Sequence, residues 1–204
     1  MQFDITHQEE YSRGELLLRS FFGWIYMLIP HIFLLWIFSI ALAFLTFFAW
    51  WVILFTGETP EWYYNMSVKV NRWSLRLNAR LMNLSDGYPA FGLDGTDDKT
   101  TFDVERVHIG RGNLLIRSFF GWILIIPHIF ILYFRYIGTL ILVFLAWWVV
   151  LFTGKYPANW HSFNVGTMRW ATRIGLWYSW LIMDYPPFNG QPDQVAADQP
   201  IDQI

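Results

Sequence analysis

RSFFGWIYMLIPHIFLLWIFSIALAFLTFFAWWVILFTG, from Arg19 to Gly57, decides the class of this fold, because it returns as RSFFGWILIIPHIFILYFRYIGTLILVFLAWWVVLFTG from Arg117 to Gly154. Both copies open on Arg-Ser, carry a Pro-His pair inside (Pro30-His31 and Pro127-His128), and close on Ala-Trp-Trp, Leu-Phe and Thr-Gly. No acidic residue falls between Glu15 and Glu58, or between Glu105 and Asp184. A soluble core does not need uninterrupted apolar runs of this length, whereas a bilayer does. Composition agrees, with 15% of residues charged against roughly 25% in soluble domains. The two stretches predict an all-α integral membrane protein built from two tandem repeats.

Length sets the next problem. Ser20 to Phe55 as one helix would measure about 54 Å, against a hydrocarbon layer of about 30 Å. Arg135-Tyr136 with Gly138-Thr139 stands near the middle of the second run. A charge there costs roughly 3 kcal/mol in lipid, but little at a polar turn near the far surface. Two solutions remain, a membrane-embedded half-helix broken at Pro30 and followed by one span, or a helical hairpin. The central charge favours the second, so each copy is expected to form a membrane-embedded helical hairpin with its first arm kinked at the proline, over about residues 16–56 and 114–153. Hairpins would also place the two following segments in the same leaflet.

Those following segments are amphipathic. Over about residues 60–84, Thr59 reads as an N-cap, Pro60 as the first helical position and Glu61 as an acid in the first turn. Trp62, Met66, Val70, Trp73, Leu77, Leu81 and Leu84 recur at spacings of three and four and make one apolar face. Lys69, Arg72, Arg76 and Arg80 run beside it. Over about residues 157–183 the face is kept by Trp160, Phe163, Trp170, Ile174, Tyr178 and Leu181, with Arg169 and Arg173 alongside. Each segment reads as an interfacial helix, apolar side in the acyl boundary and basic stripe at the headgroups. Arg19 and Arg117 stand at the membrane edges. Arg19, Lys69, Arg72, Arg76, Arg80, Arg117, Arg169 and Arg173 are thus the candidate contacts to anionic lipid. The same residues serve as positive-inside markers with snorkelling side chains, which puts the loops and both termini on the cytoplasmic side.

Further out, Phe3-Asp4-Ile5 and Phe102-Asp103-Val104 alternate alike and suggest a pair of short strands. The first repeat then covers residues 1–91 and the second 102–188, joined by a linker at 92–101. Asp94, Asp97 and Asp98 lack the ligand spacing of a calcium loop and read as a solvated acidic turn. Residues 189–204 are polar, without apolar period, and read as a disordered tail.

Few residues carry chemistry. His31 and His128 lie inside the apolar runs, each after a proline. They read either as axial ligands of a haem or chlorophyll-type pigment, or as structural donors to groups that the proline frees. Neither run holds an acid, which argues against proton-coupled transport. There is no cysteine, so disulfides and thiolate metal sites are excluded. No Ser-His-Asp set, phosphate loop or zinc spacing is present. Trp24, Trp50, Trp51, Trp122, Trp147 and Trp148 suit an interfacial aromatic belt. The basic stripes are too short and too close to the membrane for nucleic acid.

One ordered set of motifs is distinctive. It comprises Ile-Pro-His-Ile at Ile126–Ile129, Leu-Phe-Thr-Gly-Lys-Tyr-Pro at Leu151–Pro157, Phe-Asn-Val-Gly…Arg-Trp…Arg at Phe163–Arg173, and Asp-Tyr-Pro-Pro-Phe at Asp184–Phe188. This set resembles the bacterial membrane family catalogued as domain of unknown function 4389. The first copy departs from it at Glu58-Thr59, Lys69 and Tyr88–Phe91. The resemblance implies a membrane topology and no activity.

The expectation is a non-enzymatic, multi-pass protein of the bacterial inner membrane. It would act as an accessory or scaffold subunit, with membrane lipids and other membrane subunits as partners. One alternative is a membrane-shaping or anionic-lipid-organising protein. The other is a haem- or pigment-binding subunit using His31 and His128.

Overall fold

Residues 1–193 are described in the computed structural model; of the expected tail, residues 194–204 lie outside the described residues. The elements are β1 (Gln2–Ile5), α1 (Arg13–Gly23), a π-helical turn (Trp24–Leu28), α2 (Ile29–Thr56), α3 (Glu61–Leu81), β2 (Thr100–Asp103), α4 (Arg111–Thr153) and α5 (Ala158–Tyr178). The segment Arg13–Thr56 is one continuous helix, and among the described residues it and α4 are the two helices long and apolar enough to cross a membrane.

Neither long helix contains a turn, so the hairpins expected at 16–56 and 114–153 are not formed. The residues that suggested the turn explain why. Arg135 Nε donates to Thr167 Oγ1 at 2.8 Å and Nη2 to the Phe163 carbonyl at 3.2 Å, with the guanidinium 4.2 Å from the Phe163 ring centre. Thr139 Oγ1 donates to Thr167 Oγ1 at 3.2 Å. The polar groups are satisfied sideways by α5, and the helix has no need to break. In the first copy the same place is apolar: Phe38 stands for Arg135 and lies 5.9 Å from Trp73.

The π turn has a plain cause in the sequence. The first copy has one residue more between Gly23 and Pro30 than the second has between Gly121 and Pro127. A π turn lengthens the ring by one residue, and the Ile29 N–H reaches back five residues to the Trp24 carbonyl. The extra residue is absorbed without rotating the buried stripe. Leu16, Arg19, Gly23, Met27 and His31 stay on one side, as Leu114, Arg117, Gly121 and His128 do in α4.

Both long helices end on a left-handed glycine, Gly57 (φ 84°) and Gly154 (φ 73°), a conformation that costs glycine nothing. Each of these ends meets the start of the other helix. Gly110 N donates to Gly57 O at 2.9 Å and Tyr11 N to Gly154 O at 2.8 Å. Trp50 Nε1 donates to Ser118 Oγ at 2.9 Å, and its equivalent Trp147 Nε1 to Ser20 Oγ at 2.7 Å. The long helices are thus antiparallel and related by a pseudo-twofold axis.

α3 and α5 run back along them. The turn after α3 holds Ser12 and Arg19 through Asp86, so α3 links the two ends of the first long helix. A straight 44-residue helix would part its ends by about 66 Å. The 21 residues of α3 cover about 32 Å. The connecting residues 57–60 and 82–86, at about 3.3 Å each when extended, supply most of the remaining reach. Pro127 lies inside α4.

The strands form as their alternation suggests. β1 and β2 pair antiparallel with Phe3 opposite Phe102, tying one copy to the other. Leu16, Ala49, Tyr63, Leu84, Ala146, Val150 and Leu176 belong to one buried cluster shared by both copies. Thr59 does not cap α3: Pro60 takes the cap position, and Thr59 Oγ1 donates to the Trp180 carbonyl at 3.0 Å.

Candidate functional site

The two histidines lie in matching aromatic boxes, each fully buried. Trp73 Nε1 donates to His31 Nδ1 at 2.7 Å, and Trp170 Nε1 to His128 Nδ1 at 2.9 Å. An indole N–H can only donate, so it uses the imidazole lone pair and leaves the ring proton on Nε2. His31 Nε2 then donates to Tyr88 Oη at 3.0 Å, and Tyr88 Oη to the Tyr26 carbonyl at 3.3 Å. In the second copy Tyr185 Oη goes to the Leu124 carbonyl at 2.6 Å, and Phe188 stacks on His128 at 3.9 Å between ring centres. Among the described residues His128 Nε2 has no partner. Neither imidazole offers a free lone pair, and each ring is enclosed by aromatic side chains. The reading of His31 and His128 as pigment ligands gives way to a structural one: each box fastens the loop after α3 or α5 to the middle of a long helix.

The basic residues are the larger correction. Arg19, Arg76, Arg80, Arg117, Arg169 and Arg173 are all buried, and their guanidiniums hold protein groups. Arg19 donates to Asn83 Oδ1 at 2.9 Å and to Asp86. Arg117 takes the carbonyls of Trp177 (3.1 Å), Ile182 (2.7 Å) and Met183. Arg76 holds Gly92 O at 2.8 Å and Gly95 O. Arg80 pairs with Asp97 at 2.8 Å. Arg169 bonds Phe3 O at 2.8 Å and Gly190 O at 2.7 Å, and Arg173 bonds Asn189 O at 3.3 Å and Asp193. A guanidinium engaged in this way is not free for a phosphate headgroup. Of the eight candidates only Lys69 and Arg72 keep exposed side chains, and these lean towards Asp94 (2.6 Å) and Asp103 (3.9 Å). Periodicity placed the arginines correctly on one side of each helix. It could not say that loops and strands would cover that side.

The same contacts revise the linker and the tail. Asp97 is enclosed rather than solvated, its side chain 3% exposed. Burial alone would raise its pKa. The hydrogen bonds from Arg80 and the Lys99 N–H outweigh that and hold it below the usual carboxylate range. Residues 189–193 dock on Arg169 and Arg173. An open cavity of about 490 Å³ lies beside Arg72, Arg76, Asp94 and Asp97, but its charges are largely paired with one another. Among the described residues no cluster of His, Asp or Glu is arranged to hold a metal.

A further group sits at the seam between the copies, and sequence reasoning passed over it. His7, Tyr11, Tyr156 and His161 form a chain of rings with centres 5.0–5.9 Å apart. His161 is engaged with the Leu84 carbonyl at 3.1 Å. Burial lowers its pKa to about 4, and raises those of Tyr11 and Tyr156 to about 12. Nothing in local periodicity ties residue 7 to residue 161.

The surface that the two long helices leave open to the surroundings is largely apolar. The bulky exposed side chains lie overwhelmingly on the two long helices, from Leu17 to Phe55 and from Leu115 to Phe152. The family model described as Domain of unknown function (DUF4389) matches residues 18–92 and again residues 116–189. No curated protein and no solved structure matches the chain.

Proposed function

Since the chain belongs to the DUF4389 family, as two tandem members, and that membership brings no activity with it, we propose that it is a non-enzymatic membrane protein that shapes or organises the lipid layer it occupies. One observation carries this reading. The exposed Phe, Trp, Ile and Leu side chains are gathered on the two long helices, while most of the basic residues once assigned to headgroups are engaged inside the protein. The contact with the membrane is then apolar insertion more than charge attraction, and its strength scales with the apolar area buried. Reconstitution into large phosphatidylcholine–phosphatidylglycerol vesicles tests it. The expected result is smaller or tubular vesicles as the protein-to-lipid ratio rises. Unchanged vesicle size and shape would refute it.

A second reading, an accessory subunit of a larger inner-membrane assembly, draws support from the density of exposed aromatics, including Phe47, Phe48, Trp51 and Phe55 in mutual contact. Such surfaces also suit the flanks of other membrane helices. Extraction from native membranes would return a stable larger complex under this reading, and a solitary chain otherwise.

A further inference from the structure

We infer that both long helices lie flat within a single leaflet, with its acyl chains as the occupant of their exposed faces, and that neither crosses the bilayer. The inference rests on the membrane reading above, not on the shaping role.

The argument begins with what backs each helix. Along its length the first long helix touches the same partner layer: Arg19 at Asn83, His31 and Phe38 at Trp73, and Ile53 in a cluster against which Trp180 packs. α4 does likewise, from Arg117 at Trp177 through His128 at Trp170 to Arg135 at Thr167. That layer is charged on its outer side. Asp94, Asp103 and Asp4 have side chains 82%, 74% and 68% exposed, and they are anchored at Lys69, Arg72 and Arg169. Arg72 and Arg169 sit near the middle of α3 and α5, each next to the tryptophan that bonds the mid-helix histidine. An upright long helix would carry these carboxylates to the bilayer midplane, where a charge is strongly unfavourable.

Laid flat, the same helix has no such conflict. A helix with its side chains is about 10–12 Å thick, and the hydrocarbon of one leaflet is about 15 Å deep. The apolar face then meets acyl chains along its whole length, and the charged layer stays in water. A flat helix also removes the misfit between about 66 Å of helix and about 30 Å of hydrocarbon.

The chain has no cysteine, so single-cysteine variants of the full protein can be labelled cleanly. Phe22, Phe33, Phe44 and Phe55 are 57%, 59%, 66% and 69% exposed and stand eleven residues apart. Phe22→Cys, Phe33→Cys, Phe44→Cys and Phe55→Cys, each spin-labelled and reconstituted in phosphatidylcholine–phosphatidylglycerol vesicles, report depth through collisions with oxygen and a water-soluble nickel complex. Flat seating expects all four within one helix diameter of each other, about 10 Å, and all in lipid. Depth steps of about 16 Å between successive labels, with the end labels in water, would mean a span and overturn it. A depth that rises to the opposite headgroups at Phe33 or Phe44, or water at all four positions, overturns it as well. Equal depths together with unchanged vesicle curvature would keep this seating and remove only the shaping role.

Discussion

Deleting one residue from each long helix should give opposite results, because only the first copy has a π turn to release. Removing Leu28 leaves Trp24-Ile25-Tyr26-Met27-Ile29-Pro30, which has the spacing of Trp122 to Pro127 in the second copy. The π turn can relax to α, and Leu16, Arg19 and Gly23 keep their side of the helix. The expected change is within about 1 kcal/mol, or a few degrees in Tm for a chain of this size. Removing Ile126 from α4, itself exposed, has no bulge to draw on. Everything before it turns by about 100°. Leu114, fully buried, leaves the core at about 2–5 kcal/mol. Arg117 leaves its three carbonyls, at roughly 1.5–3 kcal/mol for each bond to a charged group. Together these rival a total stability of about 5–15 kcal/mol. Thermal melts of both variants in one detergent, followed by tryptophan fluorescence, make the comparison. Equal damage from the two deletions, or greater damage from the loss of Leu28, would refute the register argument.

Three further outcomes follow from buried groups. His161 is neutral in the fold, its pKa lowered from 6.5 to about 4, so the unfolded chain takes up the proton first as pH falls; its contribution to stability should be level above pH 6.5 and decline by about 3 kcal/mol between 6.5 and 4, and pH-dependent melts of His161→Gln should show a slope shallower by about that amount. Arg80→Met strands the enclosed Asp97 and should cost about 3–5 kcal/mol, read from the same melts, with Arg80→Met/Asp97→Asn recovering part of it. Trp73→Phe removes the indole donor to His31 Nδ1 and should cost about 1–3 kcal/mol beyond the lost ring volume; a double-mutant cycle with His31→Phe should reveal that coupling.

The sequence carried the repeat, the two apolar stretches, the amphipathic helices behind them and even the short strands, because each of these is a local period. Phe3 and Phe102 pair as their shared alternation suggested. It misled where one local pattern has two three-dimensional uses. A stripe of arginines reads alike whether it meets headgroups or, as at Arg76 and Arg173, the carbonyls of a returning loop. Arg135 in an apolar run suggested a turn, since the partner that satisfies it, Thr167, is distant in sequence and ordinary in type. The π turn was legible in principle as the extra residue before Pro30, but only by aligning one copy against the other. The seam at His7 and His161 leaves no local trace.

The crossed ends of the long helices, Gly57 with Gly110 and Gly154 with Tyr11, have a consequence for assembly. Each copy presents the same surface that it receives, which is the geometry of an isologous dimer. Here the two halves share one chain, so the pairing is intramolecular. Its effective concentration is set by the connecting residues, in the millimolar range for short tethers, and does not fall on dilution. The duplication has in effect made a dimer that cannot dissociate. Because that contact closes on itself, any larger array must grow through surfaces outside the paired ends.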